Sequence, residues 1–201
     1  MRAVRSREVE PVALHEKALE NLTFIRDTMA RTAHFTAVSG LGSVAMGGVA
    51  LLAASVASTQ QSPVRWLVVW LSAAAISFVV SALAVIRKAR TTDTPLFSGA
   101  GRKFLLSLLP ALAVGAGLTW PLFVAGEARL LPAVWLLLYG TAVMAAGAFS
   151  VRVVPAMGLS FMLVGAAALF SPVGTGDLFM AAGFGGLHLI FGLIIWRRYG
   201  G

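Results

Sequence analysis

Charged residues divide the chain into long apolar stretches. Six windows contain no Asp, Glu, Lys or Arg and hold between 19 and 33 residues each: 32–64, 66–86, 104–126, 130–151, 153–176 and 178–196. A helix needs about 20 apolar residues to cross the hydrocarbon core of a bilayer, and a charge near the centre of that helix is costly. The pattern therefore predicts an all-α integral membrane protein built as a bundle of six transmembrane helices.

The breaks between these windows carry polar and helix-breaking residues. The run from Ser58 to Gln61 is polar, and Pro63 after it cannot continue a helix. The shortest break is the run 150–155, which separates the predicted fourth and fifth spans. With the polar ends removed, the predicted transmembrane domain 34–201 contains the following spans: 36–58, 66–86, 104–125, 131–150, 154–171 and 178–196.

A different pattern precedes the first span, in residues 1–33, which we expect to form a cytoplasmic N-terminal segment. Apolar residues recur there at spacings of three or four, which is typical of one face of an amphipathic helix over 12–33. These residues are Leu14, Ala18, Leu22, Ile25, Met29 and Ala33. Such a helix either lies on the inner membrane surface or pairs with a protein partner or a second copy of the chain.

Basic residues predict the orientation of the bundle. If the N-terminus is cytoplasmic, 14 of the 16 Lys and Arg residues fall on the cytoplasmic side, and Arg65 and Arg129 fall on the other. This positive-inside bias predicts that both termini are cytoplasmic, in a bacterial-type inner (plasma) membrane. We expect anionic lipid headgroups to bind a basic set on the cytoplasmic side: Arg87, Lys88, Arg90, Arg102, Lys103 and Arg152.

Composition supports lipid, rather than nucleic acid, as the surroundings of this basic protein. The 201 residues are 58% hydrophobic and 12% charged, with a net charge of +8, whereas a soluble domain carries about 25% charged residues. The basic loops account for the positive charge, so we expect no nucleic-acid partner. The chain has no cysteine, which excludes disulfides, thiolate metal sites and cysteine nucleophiles.

Small residues recur within the predicted spans and indicate close helix packing. In lipid, Gly, Ala and Ser let helix backbones approach each other, which supports association where the hydrophobic effect is absent. The contacts can lie inside one bundle or between subunits. The candidate packing residues are Ser43, Gly47, Gly140, Gly147, Gly185 and Gly186.

The sequence offers little chemistry. It contains no catalytic motif, no metal-binding motif and no phosphate-binding loop, and we predict no cofactor. Asp177 begins the sixth span, where a carboxylate suits a helix N-terminus. His188 lies well inside that span and is the candidate cofactor-binding residue, as a ligand of haem iron. It could instead act as a proton relay. The alternative is a neutral histidine that is hydrogen-bonded to a neighbouring helix.

Three functions remain open on these observations. The sequence favours a non-enzymatic structural, accessory or regulatory subunit that acts through helix contacts, because the spans lack buried charge. The second hypothesis is a small homo-oligomeric transporter or channel for a neutral or weakly polar solute, with a polar lining. That lining would come from Ser72, Ser77, Ser81, Ser107, Thr119, Thr141, Ser160 and His188. The third is a membrane enzyme that acts on lipid or quinone.

Overall fold

A computed structural model describes residues 17–25, 35–92, 96–97 and 99–199. The chain divides into two compact units, 1–33 and 34–201. In the first unit, residues 17–25 form helix α1, in which Leu22 and Ile25 are exposed. The rest of the predicted amphipathic helix 12–33 lies outside the described residues.

The second unit is helical throughout its described part, apart from turns and one isolated β-bridge. Five of its helical stretches are long and apolar enough to cross a membrane, with Ala128–Gly147 and Gly176–Tyr199 each counted as one stretch. These properties fit the predicted class, a helical membrane protein. The helices are α2 Gly40–Ala57, α3 Pro63–Thr91, α4 Gly99–Val124, α5 Leu131–Gly147, α6 Val153–Leu169, α7 Gly176–Met180, a π-helical segment Ala181–Leu187, and α8 His188–Tyr199, with a 3₁₀ turn Ala128–Leu130 before α5.

Helix α2 begins at Gly40, four residues after the predicted start of the first span. Ser39 is its N-cap and accepts a hydrogen bond from the Gly42 backbone N–H at 3.1 Å. Such a bond satisfies one of the backbone donors that a helix N-terminus leaves free. Residues 35–39 are extended instead of helical because Phe35 pairs with the α5–α6 turn. The Phe35 N–H donates to the Phe149 carbonyl at 2.7 Å, and the Ser150 hydroxyl donates to the Phe35 carbonyl at 2.7 Å.

Several chain segments meet at the end of the bundle that we call the basic end, formed by residues 35–39, the α5–α6 turn 148–152 and the C-terminus of α8. The ring of Phe104, in the second turn of α4, lies 4.8 Å from the ring of Phe35. The Lys103 ammonium lies 5.8 Å from the centre of the Phe149 ring. Aromatic and cation–π contacts therefore join the start of α4 to this end.

The opposite end, which we call the tryptophan end, contains the turns 58–62, 125–130 and 170–175. Residues from all three turns line one cleft. Helix α6 begins beside the basic end and finishes beside the tryptophan end. Its 17 residues correspond to about 26 Å of helix at 1.5 Å per residue.

Glycines bring α5 and α6 into backbone contact. A Cβ added at Gly140 would lie 2.7 Å from the Gly158 carbonyl oxygen and 2.7 Å from the Met162 nitrogen. A Cβ at Gly147 would lie 2.7 Å from the Pro155 nitrogen. Any side chain at these positions would force the two backbones apart, so the sequence needs glycine here for this contact.

A second glycine contact joins α2 to the last helix. A Cβ at Gly47 would lie 2.9 Å from the Gly185 carbonyl oxygen, and one at Gly192 would lie 3.0 Å from the Ser43 Cβ. Ser43, Gly47 and Gly185 therefore lie inside this bundle, at contacts within one chain. Gly186 lies outside this contact, because a Cβ there would meet nothing closer among the described residues than the Ala181 carbonyl oxygen, at 3.9 Å.

The core lies where α2, α5, α6 and the π segment meet. Its fully buried side chains include Leu136, Phe161, Met180 and Ile195. Helices α3 and α4 lie at the periphery, since 11% of the most apolar window of each is buried, against 44% for α2. Their exposed apolar side chains suit a lipid environment.

Replacing Gly140 with Ala tests the α5–α6 contact. We expect Gly140→Ala to destabilise the protein by about 1–3 kcal/mol, the usual effect of overpacking a well-packed site. The measurement is the thermal unfolding midpoint in detergent micelles. Gly117→Ala is the matched control, because a Cβ at that helical glycine meets nothing within 4 Å. Equal midpoints for the two variants would contradict the contact.

Candidate functional site

The most deeply buried polar side chain of the bundle centre is His188, at the first position of α8. It is 2% exposed. Three aromatic rings surround it: Phe161 of α6 at 5.1 Å, Tyr139 of α5 at 5.3 Å and Phe184 of the π segment at 6.2 Å between ring centres. Tyr139 also packs edge-on against Phe161 and Phe184. We call these four residues the aromatic cluster.

Both ring nitrogens of His188 are hydrogen-bonded within the protein. Nδ1 lies 2.8 Å from the Phe184 carbonyl oxygen, and Nε2 lies 2.7 Å from the Tyr139 hydroxyl. A carbonyl can only accept, so Nδ1 carries the proton and donates. In the neutral ring Nε2 is then the acceptor, and the Tyr139 O–H donates to it. For the neutral ring, these contacts select one tautomer, with the proton on Nδ1.

This arrangement bears directly on His188 as a cofactor ligand. A metal or haem iron would bind through a nitrogen lone pair, and the Tyr139 hydroxyl occupies the one available on Nε2. Cofactor binding would therefore require Tyr139 to turn away from the imidazole. A bis-histidine haem would need a second ligand, and His34, near the start of the first span, lies outside the described residues. Cofactor binding by His188 thus stays a prediction, and the hydrogen-bonded alternative agrees with the geometry.

The π-helical segment places Phe184 beside the imidazole. It runs through Ala181–Leu187 with the sequence AAGFGGL. Such segments interrupt α-helices and frequently occur at functional sites. Here Gly183 and Gly185 are buried, and a Cβ at Gly185 would lie 2.5 Å from a methyl group of Leu51. The segment therefore combines a locally widened helix with close packing against α2.

A second polar cluster lies at the tryptophan end and centres on Asp177. One carboxylate oxygen, Oδ1, accepts a hydrogen bond from the Trp66 indole at 2.8 Å and another from the Trp70 indole at 2.9 Å. Both tryptophans belong to α3, whereas Asp177 lies in the first turn of α7. Asp177 therefore lies at a helix N-terminus, as expected, and in addition joins α7 to a helix that is distant in sequence.

The same network extends to α4 and α5 through Trp135. Its ring stacks on that of Trp66, with ring centres 5.8 Å apart and planes 7° from parallel. Its indole N–H donates to the Thr119 hydroxyl at 2.9 Å, and that hydroxyl donates to the Gly115 carbonyl at 2.8 Å. Trp66 and Trp135 thus link α3, α4 and α5.

A cleft of about 530 Å³ opens beside this network. Trp66 and Asp177 form part of its wall, and Gln60, Arg129 and Thr175 supply further polar groups. Arg129 forms an ion pair with Glu127, with Nε 3.0 Å from Oε2. The cleft therefore combines an aromatic ring, a carboxylate and a cation that is already paired.

The basic residues predicted to face lipid headgroups are placed in two ways. Five are exposed: Arg87, Arg90, Arg102, Lys103 and Arg152. Lys88 is 5% exposed, and its ammonium donates to the Val38 carbonyl at 3.1 Å and to the Tyr199 carbonyl at 3.0 Å. The Lys88 ammonium is therefore directed inward and holds α3 to residues 35–39 and to the end of α8, while headgroup binding by the six basic residues stays a prediction.

Several of the polar residues proposed to line a transport path take part in contacts within the bundle. Ser72 lies in a groove between α2 and α3, Thr119 contacts Trp135, and His188 lies in the aromatic cluster. The hydroxyls of Thr141 and Ser160 donate to carbonyl oxygens of their own helices.

Sequence reasoning missed the partners that make these clusters. Trp70 and Asp177 are 107 positions apart, and Tyr139 and His188 are 49 apart. A single sequence carries no periodic signal for pairs at such distances. The one available signal was chemical, since a carboxylate, indoles and an imidazole beside apolar spans need hydrogen-bond partners when buried.

Comparison of the chain with protein-family models, with curated proteins and with solved structures gives no match.

Replacing Tyr139 with Phe tests the hydrogen bond to His188. The ring and its packing remain, but Nε2 loses its donor, so we expect a loss of about 1 kcal/mol of stability, as for polar contacts between membrane helices. Thermal unfolding of the purified protein measures the change. Tyr199→Phe is the control, because Tyr199 is the other tyrosine of the chain and is 38% exposed. An unchanged midpoint for Tyr139→Phe would refute the bond's contribution.

Proposed function

We propose that the protein is a non-enzymatic membrane subunit that acts through helix contacts in a structural, accessory or regulatory role. The observation that carries this proposal is the closed interior of the bundle. The aromatic cluster fills its centre, and in the described part of the chain every buried side-chain nitrogen or oxygen has a hydrogen-bond partner. A catalytic or transport site usually presents a polar group to its substrate, and this interior keeps its polar groups for internal contacts.

We further propose that the chain crosses the membrane six times. The support comes from α6, whose 17 residues lie at the lower limit of the roughly 17–25 residues that a spanning helix needs. It connects the basic end to the tryptophan end, and the turns 148–152 and 170–175 on either side of it add to the distance that this segment spans. The helical stretches before and after α6 continue to alternate in direction along the chain only if α6 also crosses the membrane.

The orientation we propose places the basic end in the cytoplasm, with N- and C-termini inside a bacterial-type inner membrane. Of the ten Lys and Arg residues within 35–199, Arg65 and Arg129 lie toward the tryptophan end, which leaves 10 − 2 = 8 toward the basic end. Such an excess of basic residues favours the cytoplasmic side. The exposed ones then lie where anionic headgroups attract them, at about 1 kcal/mol per residue.

A protein partner within the bilayer would bind α3 and α4. These helices keep most of their apolar surface open, whereas glycine contacts occupy the faces of α2, α5 and α6. Flat apolar helix faces can contact either lipid tails or another helix, and helix α1 offers a further contact outside the membrane. A regulatory or accessory subunit needs surface of this kind, not a reactive group.

Native mass spectrometry of the protein extracted gently from its own membranes tests this role. We expect a complex of defined stoichiometry with a different protein, held through contacts that survive mild detergent. An absorption spectrum of the same sample is the companion measurement. The chain found alone, or as a homo-oligomer with a retained small molecule or a Soret band, would contradict the proposal and favour transport or redox chemistry.

Single cysteines test the span count and the orientation together, since the chain has no cysteine of its own. Arg152 and Val173 flank α6 and are both exposed, Val173 by 79%. In intact cells we expect a membrane-impermeant maleimide to label Val173→Cys, and to label Arg152→Cys only after permeabilisation.

The two variants control for each other. Labelling of both from the same side would mean that α6 does not cross the membrane, which would remove one span. Labelling of Arg152→Cys alone in intact cells would preserve six spans and reverse the orientation.

A further inference from the structure

The cleft at the tryptophan end contains a carboxylate that has no ion-pair partner among the described residues. Arg129 and Glu127 neutralise each other in an ion pair. Asp177 forms no ion pair with any described residue, and its hydrogen bonds come from two neutral indoles. Neutral donors stabilise a carboxylate without cancelling its charge. Asp177 therefore supplies a carboxylate to the cleft wall that no described cation pairs with.

The geometry of Asp177 leaves one of its oxygens available. Both indole N–H groups bond to Oδ1, and Oδ2 accepts no hydrogen bond from the described residues. The two indoles fix the orientation of the carboxylate, because they approach from successive turns of α3. Asp177 is half-buried and part of the cleft wall, so Oδ2 is a fixed acceptor beside an open space.

An aromatic ring completes the wall next to this acceptor. Trp66 lines the cleft, and its position is fixed twice, by the bond to Asp177 and by stacking on Trp135. Trp is the side chain that attracts cations most strongly through its ring face. A carboxylate combined with a rigid indole is the arrangement that recognises an ammonium group.

We propose that this cleft binds an organic ammonium group, with Asp177 as the counter-charge and Trp66 as the aromatic contact. A small amine and the ammonium of a zwitterionic lipid headgroup share this chemistry, and the cleft volume of about 530 Å³ accommodates either. The site is separate from the aromatic cluster and does not depend on the accessory role proposed above.

Titration of the purified protein with tetramethylammonium chloride tests the site directly. Intrinsic tryptophan fluorescence reports binding, because Trp66 lies in the cleft wall. Sodium chloride at equal concentration controls for ionic strength, and tert-butanol controls for a neutral group of similar shape. We expect a saturable change in fluorescence with tetramethylammonium chloride and none with either control.

Asp177→Asn separates the charge from the structural role of this residue. The amide oxygen still accepts from both indoles, so the fold is retained while the charge is lost. We expect binding to weaken by about tenfold or more, as for the loss of a charged partner. Glu20→Gln is the charge-matched control, since it makes the same change in net charge at a residue outside the cleft lining, and should bind like the wild type.

The lipid source is tested with the same proteins in nanodiscs of phosphatidylglycerol, with and without phosphatidylethanolamine. Native mass spectrometry then shows whether the protein retains phosphatidylethanolamine and whether Asp177→Asn loses it. Saturable tetramethylammonium binding that depends on Asp177 supports a free amine, and Asp177-dependent lipid retention supports a headgroup.

The absence of both forms of binding in the wild-type protein would overturn the proposal. Equal binding by Asp177→Asn and Glu20→Gln would overturn it as well. If Asp177→Asn fails to fold, as judged by circular dichroism, Trp66→Phe replaces it. Isothermal titration calorimetry then measures tetramethylammonium binding, because this variant lacks the fluorescent reporter, and native mass spectrometry measures lipid retention. That variant keeps a ring in the wall but a weaker cation contact, so weakened binding supports the site and unchanged binding counts against it.

Discussion

Close approach of helix backbones is the interaction on which the rest of this structure depends. In lipid the hydrophobic effect does not drive one apolar helix against another, so association must come from packing and polar contacts. The pairs Gly140–Gly158 and Gly47–Gly185 remove the side chains that would hold α5 from α6 and α2 from the last helix. Once these backbones meet, the space between the two pairs is small enough for Tyr139, Phe161, Phe184 and His188 to fill it.

The two ends complement this packed centre. At the basic end, Lys88 and Ser150 tie residues 35–39 to three other segments. At the tryptophan end, Asp177 holds α3 to α7 through two indoles. Helix α3 has little buried surface of its own, so these bonds at both of its ends fix its position. A bundle built in this way keeps polar chemistry at its ends, which is why the cleft beside Asp177 is a better place for a ligand than the interior.

The sequence predicted the parts of this fold that depend on local pattern. Charge-free windows identified the apolar helices because the bilayer excludes charge from every spanning segment. The short break at 150–155 corresponds to a real turn between α5 and α6, residues 148–152. The start of α2 was missed because Phe35 is apolar and uncharged, so nothing in the local pattern separates an extended segment packed on a turn from the first turn of a helix.

The candidate sites were harder to predict, because they depend on partners that the chain brings together only when folded. Lys88 looked like its neighbours Arg87 and Arg90, and its inward direction follows from the carbonyls of Val38 and Tyr199. Asp177 looked like a helix cap until the positions of Trp66 and Trp70 were known. His188 was recognisable as unusual from its apolar surroundings, but whether its nitrogens were free depended on Tyr139.

The central claim is that the interior of the bundle is closed by packed protein and contains no path for water. The variant Ala142→Cys, at a position that is 0% exposed, tests it most directly, with Gln61→Cys in the exposed turn at the tryptophan end as the reference. In membranes that expose both faces of the protein, a small water-soluble methanethiosulfonate reagent should modify the Gln61→Cys variant and leave the Ala142→Cys variant unmodified. Modification of both variants at similar rates would reveal a water-filled interior and would contradict the account.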